Sequence, residues 1–265
     1  MSLLSVKNLS AGYGKTPVLK DISFEIAQGE LVGILGANGS GKSTLINAIC
    51  KLQSSGGTVL LAGASLNERK AYDLAKDISY VPQKSGIEID ISVLDVVLMG
   101  FHSRLKLFAA PTEAMREEAR AALEEVGLLQ KADCNYRLLS EGQKQLVILA
   151  RAYVGQGRLL IMDEPERALD ITVRNRMMQL TRRRIQQREG AGLVALHDIS
   201  LALNACDRLL LLKDGYIVQI IDLHSDTFEQ MEEKLSVLFG AVRLQKVDGK
   251  NGKAHLVMVC DSEDV

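Results

Sequence analysis

Leu31-Val-Gly-Ile-Leu35 runs directly into Gly36-Ala-Asn38-Gly39-Ser40-Gly41-Lys42-Ser43-Thr44. A short, wholly apolar run of this kind marks a strand covered on both faces in a parallel sheet. The loop after it satisfies GxxxxGK(S/T) in the strand-loop-helix setting that gives the pattern its meaning. Its glycines carry no side chains, so successive N–H groups from Asn38 to Thr44 can converge on a phosphate at the positive end of the following helix. Lys42 adds a point charge within reach of β- and γ-phosphates, and the Ser43 hydroxyl is a small oxygen ligand suited to Mg²⁺. The expected ligand is a nucleoside triphosphate.

Working outward, the apolar pattern predicts an α/β chain. Leu4 to Leu9 and Val18 to Ile26 read as an antiparallel layer, the second with Ile22, Phe24 and Ile26 alternating against Asp21, Ser23 and Glu25. Ser43 to Cys50 reads as a helix, and Thr58 to Leu61 and Ile78 to Val81 as strands, a βαβ rhythm. Between about residues 90 and 156 strand signals vanish, while Met115, Ala119, Ala122, Leu123 and Val126 recur at helical spacing. Strands resume at Leu159 to Met162, Leu193 to Leu196 and Leu209 to Leu212, separated by helices at about 171–188 and 199–206. A helix from about Asp226 to Phe239 and a hairpin, Val242 to Val247 and Ala254 to Val259 around Asp248-Gly-Lys-Asn-Gly252, follow. The expected organisation is a nucleotide-binding core with the antiparallel layer over 1–83 and 157–222, a helical subdomain over 84–156, and an extension over 223–265.

Leu159-Leu-Ile-Met162 is closed by Asp163-Glu164-Pro165. A buried strand thereby delivers two carboxylates to its C-terminal edge, where ligands bind in such sheets. This resembles a Walker B strand, with Asp163 in the Mg²⁺ shell and Glu164 facing the attacking water as general base. Just before it, inside the helical stretch, stands Leu139-Ser140-Glu141-Gly142-Gln143, continued by a helical run to Ala150-Arg151-Ala152. This segment resembles the LSGGQ signature of ATP-binding cassette (ABC) ATPases, and the resemblance extends from Leu4 to about Asp222. It implies a P-loop NTPase cassette: a mixed-sheet RecA-like core, an antiparallel β subdomain and an inserted α-helical subdomain.

The resemblance carries further positions over one at a time. Tyr13, in Gly12-Tyr13-Gly14, matches the aromatic that stacks on adenine, and Gln83, in Val81-Pro82-Gln83, matches the Q-loop glutamine. His197 matches the H-loop histidine and Asp170, in Ala168-Leu169-Asp170, the D-loop aspartate. ATP with Mg²⁺ is the implied cofactor pair, the ion held by Ser43, Gln83 and Asp163. Catalysis falls to Glu164, His197, Lys42 and Asp170. Tyr13, Gly36, Asn38, Gly39, Ser40, Gly41, Lys42, Ser43, Thr44 and Gln83 would bind the nucleotide. Ser140, Gly142 and Gln143 would meet ATP held by a second copy in a head-to-tail dimer. In this family the helical part grips membrane subunits, so a homodimer beneath two integral membrane permeases, served by a substrate-binding protein, is implied.

Two places depart from the family pattern: Glu141 stands where glycine is usual, and Glu166-Arg167 where small residues are usual. Both add charge near the expected dimer seam, and a carboxylate near a γ-phosphate repels it unless it points away, which is the expected orientation, or pairs across the interface, for example with Arg167. Val96-Val-Leu-Met-Gly100-Phe-His102 and the residues through Phe108 look like the segment after the Q-loop in importers of iron chelates, haem, cobalamin and metal ions. His102 itself is expected at a surface or interface, not as a metal ligand.

Composition narrows the partners. Across 265 residues, Lys plus Arg is 32 against 33 for Asp plus Glu, so the net charge of -1 offers no overall field for nucleic acid or an anionic bilayer. The arginines between Arg174 and Arg188 read as a solvated helix face, and with no Trp and 4% aromatics there is little to stack on bases. Four cysteines without metal-ligand spacing read as reduced thiols. Neither a signal peptide nor an apolar run of about 18 residues is found, so a peripheral place on the cytoplasmic face of the membrane is expected. The reading is the ATPase subunit of an importer for iron-siderophore or a related metal chelate. Its rivals are an exporter ATPase, a soluble cassette acting on nucleic acid or ribosomes, and a binding module that no longer turns over.

Overall fold

The computed structural model describes residues 2–14, 16–106, 109–249 and 254–260. The expected turn tip at 250–252 and Leu107-Phe108 lie outside the described residues. Contacts gather the chain into two compact units, Met1–Asn67 with Gly192–Val265, and Glu68–Ala191. Along the chain the first unit supplies β1 (Ser2–Tyr13), β2 (Thr16–Ala27), β3 (Leu31–Leu35), α1 (Lys42–Ile49), β4 (Ser55–Leu61) and β5 (Ala64–Ser65). The second follows with α2 (Ala71–Asp77), β6 (Ile78–Val81), α3 (Val93–Leu98), α4 (Glu113–Glu125), α5 (Glu141–Val154), β7 (Leu159–Asp163) and α6 (Ile171–Gln187). The first then resumes with β8 (Ala191–Ala195), α7 (Ile199–Ala205), β9 (Arg208–Lys213), β10 (Tyr216–Asp222), α8 (Phe228–Phe239), β11 (Val242–Asp248) and β12 (Ala254–Cys260).

In the first unit β1 and β2 form the expected antiparallel layer, and β4 and β5 extend it. Thr58 to Leu61, read from the sequence as part of a βαβ rhythm, instead pairs antiparallel with β1, because the chain returns from α1 to the outer layer and not to the sheet of β3. Beside it β3 lies parallel to both β8 and β9, and β9 pairs antiparallel with β10. All five residues of β3 are buried, which is why that run carries no polar residue. Its entry is fixed by Asp207: the carboxylate accepts the Leu31 N–H at 2.8 Å, and the Asp207 N–H donates to the Leu31 carbonyl at 2.8 Å. The β11–β12 hairpin is tied to α7 by Asn204, whose amide donates to the Leu256 carbonyl at 2.8 Å and accepts the Leu256 N–H at 2.9 Å.

The second unit carries one parallel pair, β6 with β7. Four of its α-helices start at side-chain caps that satisfy otherwise orphaned N–H groups, Ser92 for α3, Thr112 for α4, Ser140 for α5 and Asp170 for α6, whereas α2 starts at Lys70 without one. Each cap is worth about 1 kcal/mol. Helix α5 packs against α3, α4 and β6, and Tyr153 on it shares a buried hydrogen bond with Thr181 of α6 at 3.2 Å. Among its described residues the expected helical stretch holds no strand, only a single bridge between Ser92 and Asn135. Sequence reading missed β5, β10 and α2.

Candidate nucleotide site

In the first unit the phosphate loop leaves β3 and closes at Gly41, whose φ of 109° is a conformation L side chains rarely adopt. Helix α1 begins at the next residue, Lys42, so Ser43 and Thr44 sit in its first turn with N–H groups that have no partner within the helix. Lys42 is buried, and its ammonium donates to the Gly36 carbonyl at 2.8 Å and the Ala37 carbonyl at 3.3 Å. The lysine is thus wrapped by the loop it serves, a compact charge facing the cradle. His197 belongs to the same edge. Ile34 of β3 lies beside Ala195 of β8, so the residues two beyond each, Gly36 and His197, leave the sheet at one end. Tyr13 ends β1 with 61% of its surface exposed, a ring offered to solvent, and Gln53 steadies its turn by donating to the Gly12 carbonyl at 2.7 Å.

The second unit repeats that geometry with other chemistry. Val81 of β6 lies beside Met162 of β7, so Gln83 and Glu164 both stand two residues past the paired strand ends. The Gln83 amide nitrogen donates to Glu164 Oε2 at 2.5 Å. Glu164 is buried and holds a left-handed φ of 48°, a conformation that costs a non-glycine residue about 1 kcal/mol. Asp163, the last residue of β7, is buried one position earlier. A turn follows, closed by the Arg167 N–H on the Glu164 carbonyl at 3.3 Å, and Arg167 Nη1 lies 3.6 Å from Glu164 Oε2.

The signature segment sits at the start of α5. Ser140 and Gln143 form a capping box, each side chain accepting the other's backbone N–H at 3.3 Å. Gly142 presses on the D-loop: a Cβ there would stand 2.8 Å from the Ala168 carbonyl. Asp170 caps α6 by accepting the Val173 N–H at 2.9 Å. Glu141 points outward, with 77% of its side chain exposed, and pairs with Lys144 at 2.7 Å. In the single chain Glu141 takes the outward disposition, with Lys144 as its partner. Three contacts were not foreseen: Arg167 with Glu164, Gln53 with Gly12, and Gln145 donating to the Pro82 carbonyl at 3.3 Å. The first had a sequence signal, opposite charges three residues apart across a proline turn; the other two had none.

A glycine loop with a buried lysine in the first unit, and a strand-borne acid pair with a capped signature helix in the second, are the features of a nucleotide-hydrolysing cassette. The profile of the ABC transporter family matches residues 19–167. A hemin import ATP-binding protein of Bordetella pertussis is 40% identical over 228 residues, spanning 82% of this chain and 85% of that protein. Among solved structures, a chain of a transporter assigned to the metal-chelate type, in an inward-facing conformation, aligns with a TM-score of 0.81 at 26% identity, covering 97% of this chain and 96% of that one. A dimeric cassette in a post-hydrolysis state, bound to ADP and phosphate, aligns with a TM-score of 0.75 at 28% identity, covering 83% of this chain and 98% of its own. The chain belongs to the ABC transporter family. It has the α/β cassette fold with its antiparallel layer and helical insertion, its nucleotide is ATP, and its activity is ATP hydrolysis coupled to transport.

Proposed function

We propose that this chain drives an importer whose cargo is an iron-siderophore or a related metal chelate, acting as a homodimer on the cytoplasmic face beneath two separate integral membrane permeases, with a substrate-binding protein delivering cargo. Support for the cargo class comes from relatives named for hemin import and metal-chelate transport. Among the described residues no helix is long and apolar enough to cross a membrane, so on this reading the membrane path belongs to other chains. In this proposal residues 1–83 and 157–222 bind nucleotide, 84–156 carry the signature and meet the permeases, and 223–265 form an extension.

The observation that carries the chemistry is Glu164, a buried carboxylate at the end of β7 with the Gln83 amide on it. Glu164 takes a proton from water as the water oxygen bonds to the γ-phosphorus and the bond to the bridging oxygen breaks, releasing ADP and phosphate. Lys42 and His197 hold the γ-oxygens, and the N–H groups of residues 38–44 cradle the β-phosphate. Tyr13 stacks on adenine. Ser140, Gly142 and Gln143 meet ATP on the second copy, and Asp170 fixes the start of α6 behind them. Ser43, Gln83 and Asp163 offer a hydroxyl, an amide and a carboxylate, the oxygen donors Mg²⁺ takes. No cluster of three or more His, Cys, Asp or Glu among the described residues holds a metal alone, so the ion would come with the phosphates. Once bound it neutralises charge developing on the β- and γ-oxygens.

Steady-state MgATP hydrolysis by the purified chain beside Glu164→Gln, with sizing in ATP, tests this. Loss of a general base costs about 10²- to 10⁴-fold, so the variant is expected to fall by that order and to accumulate as an ATP-bound dimer. A variant that turns over like its parent removes Glu164 from the role.

A further inference from the structure

Gln83 and Arg167 both stand at one carboxylate oxygen of Glu164, and of the two the proposed hydrolysis uses Gln83 alone. Gln83 donates to Oε2 at 2.5 Å, and the Arg167 guanidinium stands 3.6 Å from the same oxygen. The local chain explains how. Glu164-Pro165-Glu166-Arg167 is a turn with proline at its second position, closed by the Arg167 N–H on the Glu164 carbonyl. That closure returns the fourth residue over the first. Glu166 is buried at 2% exposure, while the Arg167 side chain is 69% exposed and the Glu164 side chain 8%. An exposed cation therefore reaches down onto a buried carboxylate, from a position where a small side chain would reach nothing.

We propose that Arg167 is a positioning residue that, together with Gln83, latches the Glu164 carboxylate and slows ATP turnover. This rests on Glu164 being the base. To accept a proton from water, a carboxylate oxygen must face that water, and Oε2 is turned to Gln83 and Arg167. An interaction present before the chemical step and given up in it raises the barrier by its own worth. With its arginine mostly exposed and the charges 3.6 Å apart, the pair is weak and screened by salt, so the restraint corresponds to about two- to fivefold in rate. The Gln83 contact remains when Arg167 is removed, so the latch is loosened rather than abolished. Arg167 thus sets how readily the cassette fires without changing how it grips ATP.

The test compares kcat and KM for MgATP in the full chain, its Arg167→Ala, Arg167→Lys and Glu164→Gln variants, each at low and high salt. Arg167→Ala is expected to raise kcat about two- to fivefold with KM unchanged. Arg167→Lys is expected to stay with the parent. Added salt should raise the parent's kcat toward that of Arg167→Ala and leave the alanine variant flat. A merely structural arginine would not give that convergence or the lysine rescue. If Arg167→Ala shows no rise, including the case in which neither it nor the parent turns over, or if its kcat falls, the latch is overturned while Glu164 as base still stands or falls by its own variant. If Glu164→Gln hydrolyses ATP like the parent, the base assignment fails and the latch with it.

Discussion

Lys42 and Glu164 both make local contacts in this structure, but the contacts are of different kinds. Lys42 leans on the Gly36 and Ala37 carbonyls, which are backbone groups, and the turn that presents them leaves no room for a side chain at Gly36, where a Cβ would run into the Leu212 carbonyl. Glu164 leans on the side chains of Gln83 and Arg167, and the second of these is mostly exposed. The phosphate loop is therefore built once, by glycine geometry and a buried strand, and leaves little to adjust. The acid edge is adjustable residue by residue. Departures from the family pattern fall on the adjustable side, at Glu141 and at Glu166-Arg167, and none falls between Gly36 and Thr44. On the proposed reading, the backbone sets binding and side chains adjust the rate.

The sharpest way to break this contrast is Lys42→Ala. Removing one preorganised donor from a phosphoryl-transfer site costs about 10²- to 10³-fold, and here the lost group is also a full charge. We expect kcat/KM for MgATP to fall by at least about 100-fold, against the few-fold change expected at Arg167. Equal effects at the two positions would mean that the loop is as tunable as the acid edge. Titration with a fluorescent ATP analogue, alongside turnover, separates lost binding from lost chemistry.

The loop was legible because its pattern is local: strand, glycines, lysine and helix follow one another within about fifteen residues. The same holds for β3 and β7, whose runs of buried apolar residues have no other reading once a glycine loop or an acid pair ends them. What stayed hidden depends on small or distant signals. Strand β10 was passed over although Asp214-Gly215, with φ of 52° and 83°, is the two-residue turn that joins β9 to it. Its residues are mostly half-buried and do not alternate, so the hydrophobic pattern alone is silent. Helix α2 is seven residues long, below the length at which periodicity speaks. The contacts of Gln53 and Gln145 join side chains to carbonyls 41 and 63 residues away, and no sequence pattern records such a pair. Even at Glu141 the sequence posed the choice between facing the seam and facing away, and only the Lys144 contact decides it for the single chain.

Gly142→Ala probes the acid edge from behind. A Cβ at that position meets the Ala168 carbonyl at 2.8 Å, and backbone cannot swing aside as a side chain does. Overpacking of this kind costs about 1–3 kcal/mol, offset by about 1 kcal/mol from the better helix propensity of alanine near the start of α5. We expect a net loss of stability of about 0–2 kcal/mol, with the larger consequence in turnover, since the loop that carries Arg167 and Asp170 must shift. Thermal unfolding and hydrolysis on the same samples check this. A drop in melting temperature without a drop in kcat would show that residues 166–170 tolerate displacement and would weaken the case that side chains there set the rate.

Glu141→Gly should do least, although it restores the residue usual in the family. Glu141 is exposed, paired with Lys144, and lies in the first turn of α5, where a negative charge is favourable. Losing the pair and the acid from that turn costs about 0.5–1 kcal/mol, and the poorer helix propensity of glycine adds up to about 1 kcal/mol, a change readable by denaturant titration. The outward orientation gives Glu141 no part in the chemistry, so kcat is expected to stay within about twofold, the lower end of what an exposed charge contributes. If instead kcat rises by tenfold or more, Glu141 must turn inward when ATP is bound and oppose the γ-phosphate. The adjustable edge would then hold two restraints, one on the base and one on the phosphate, and the comparison with the fixed loop would sharpen rather than fail.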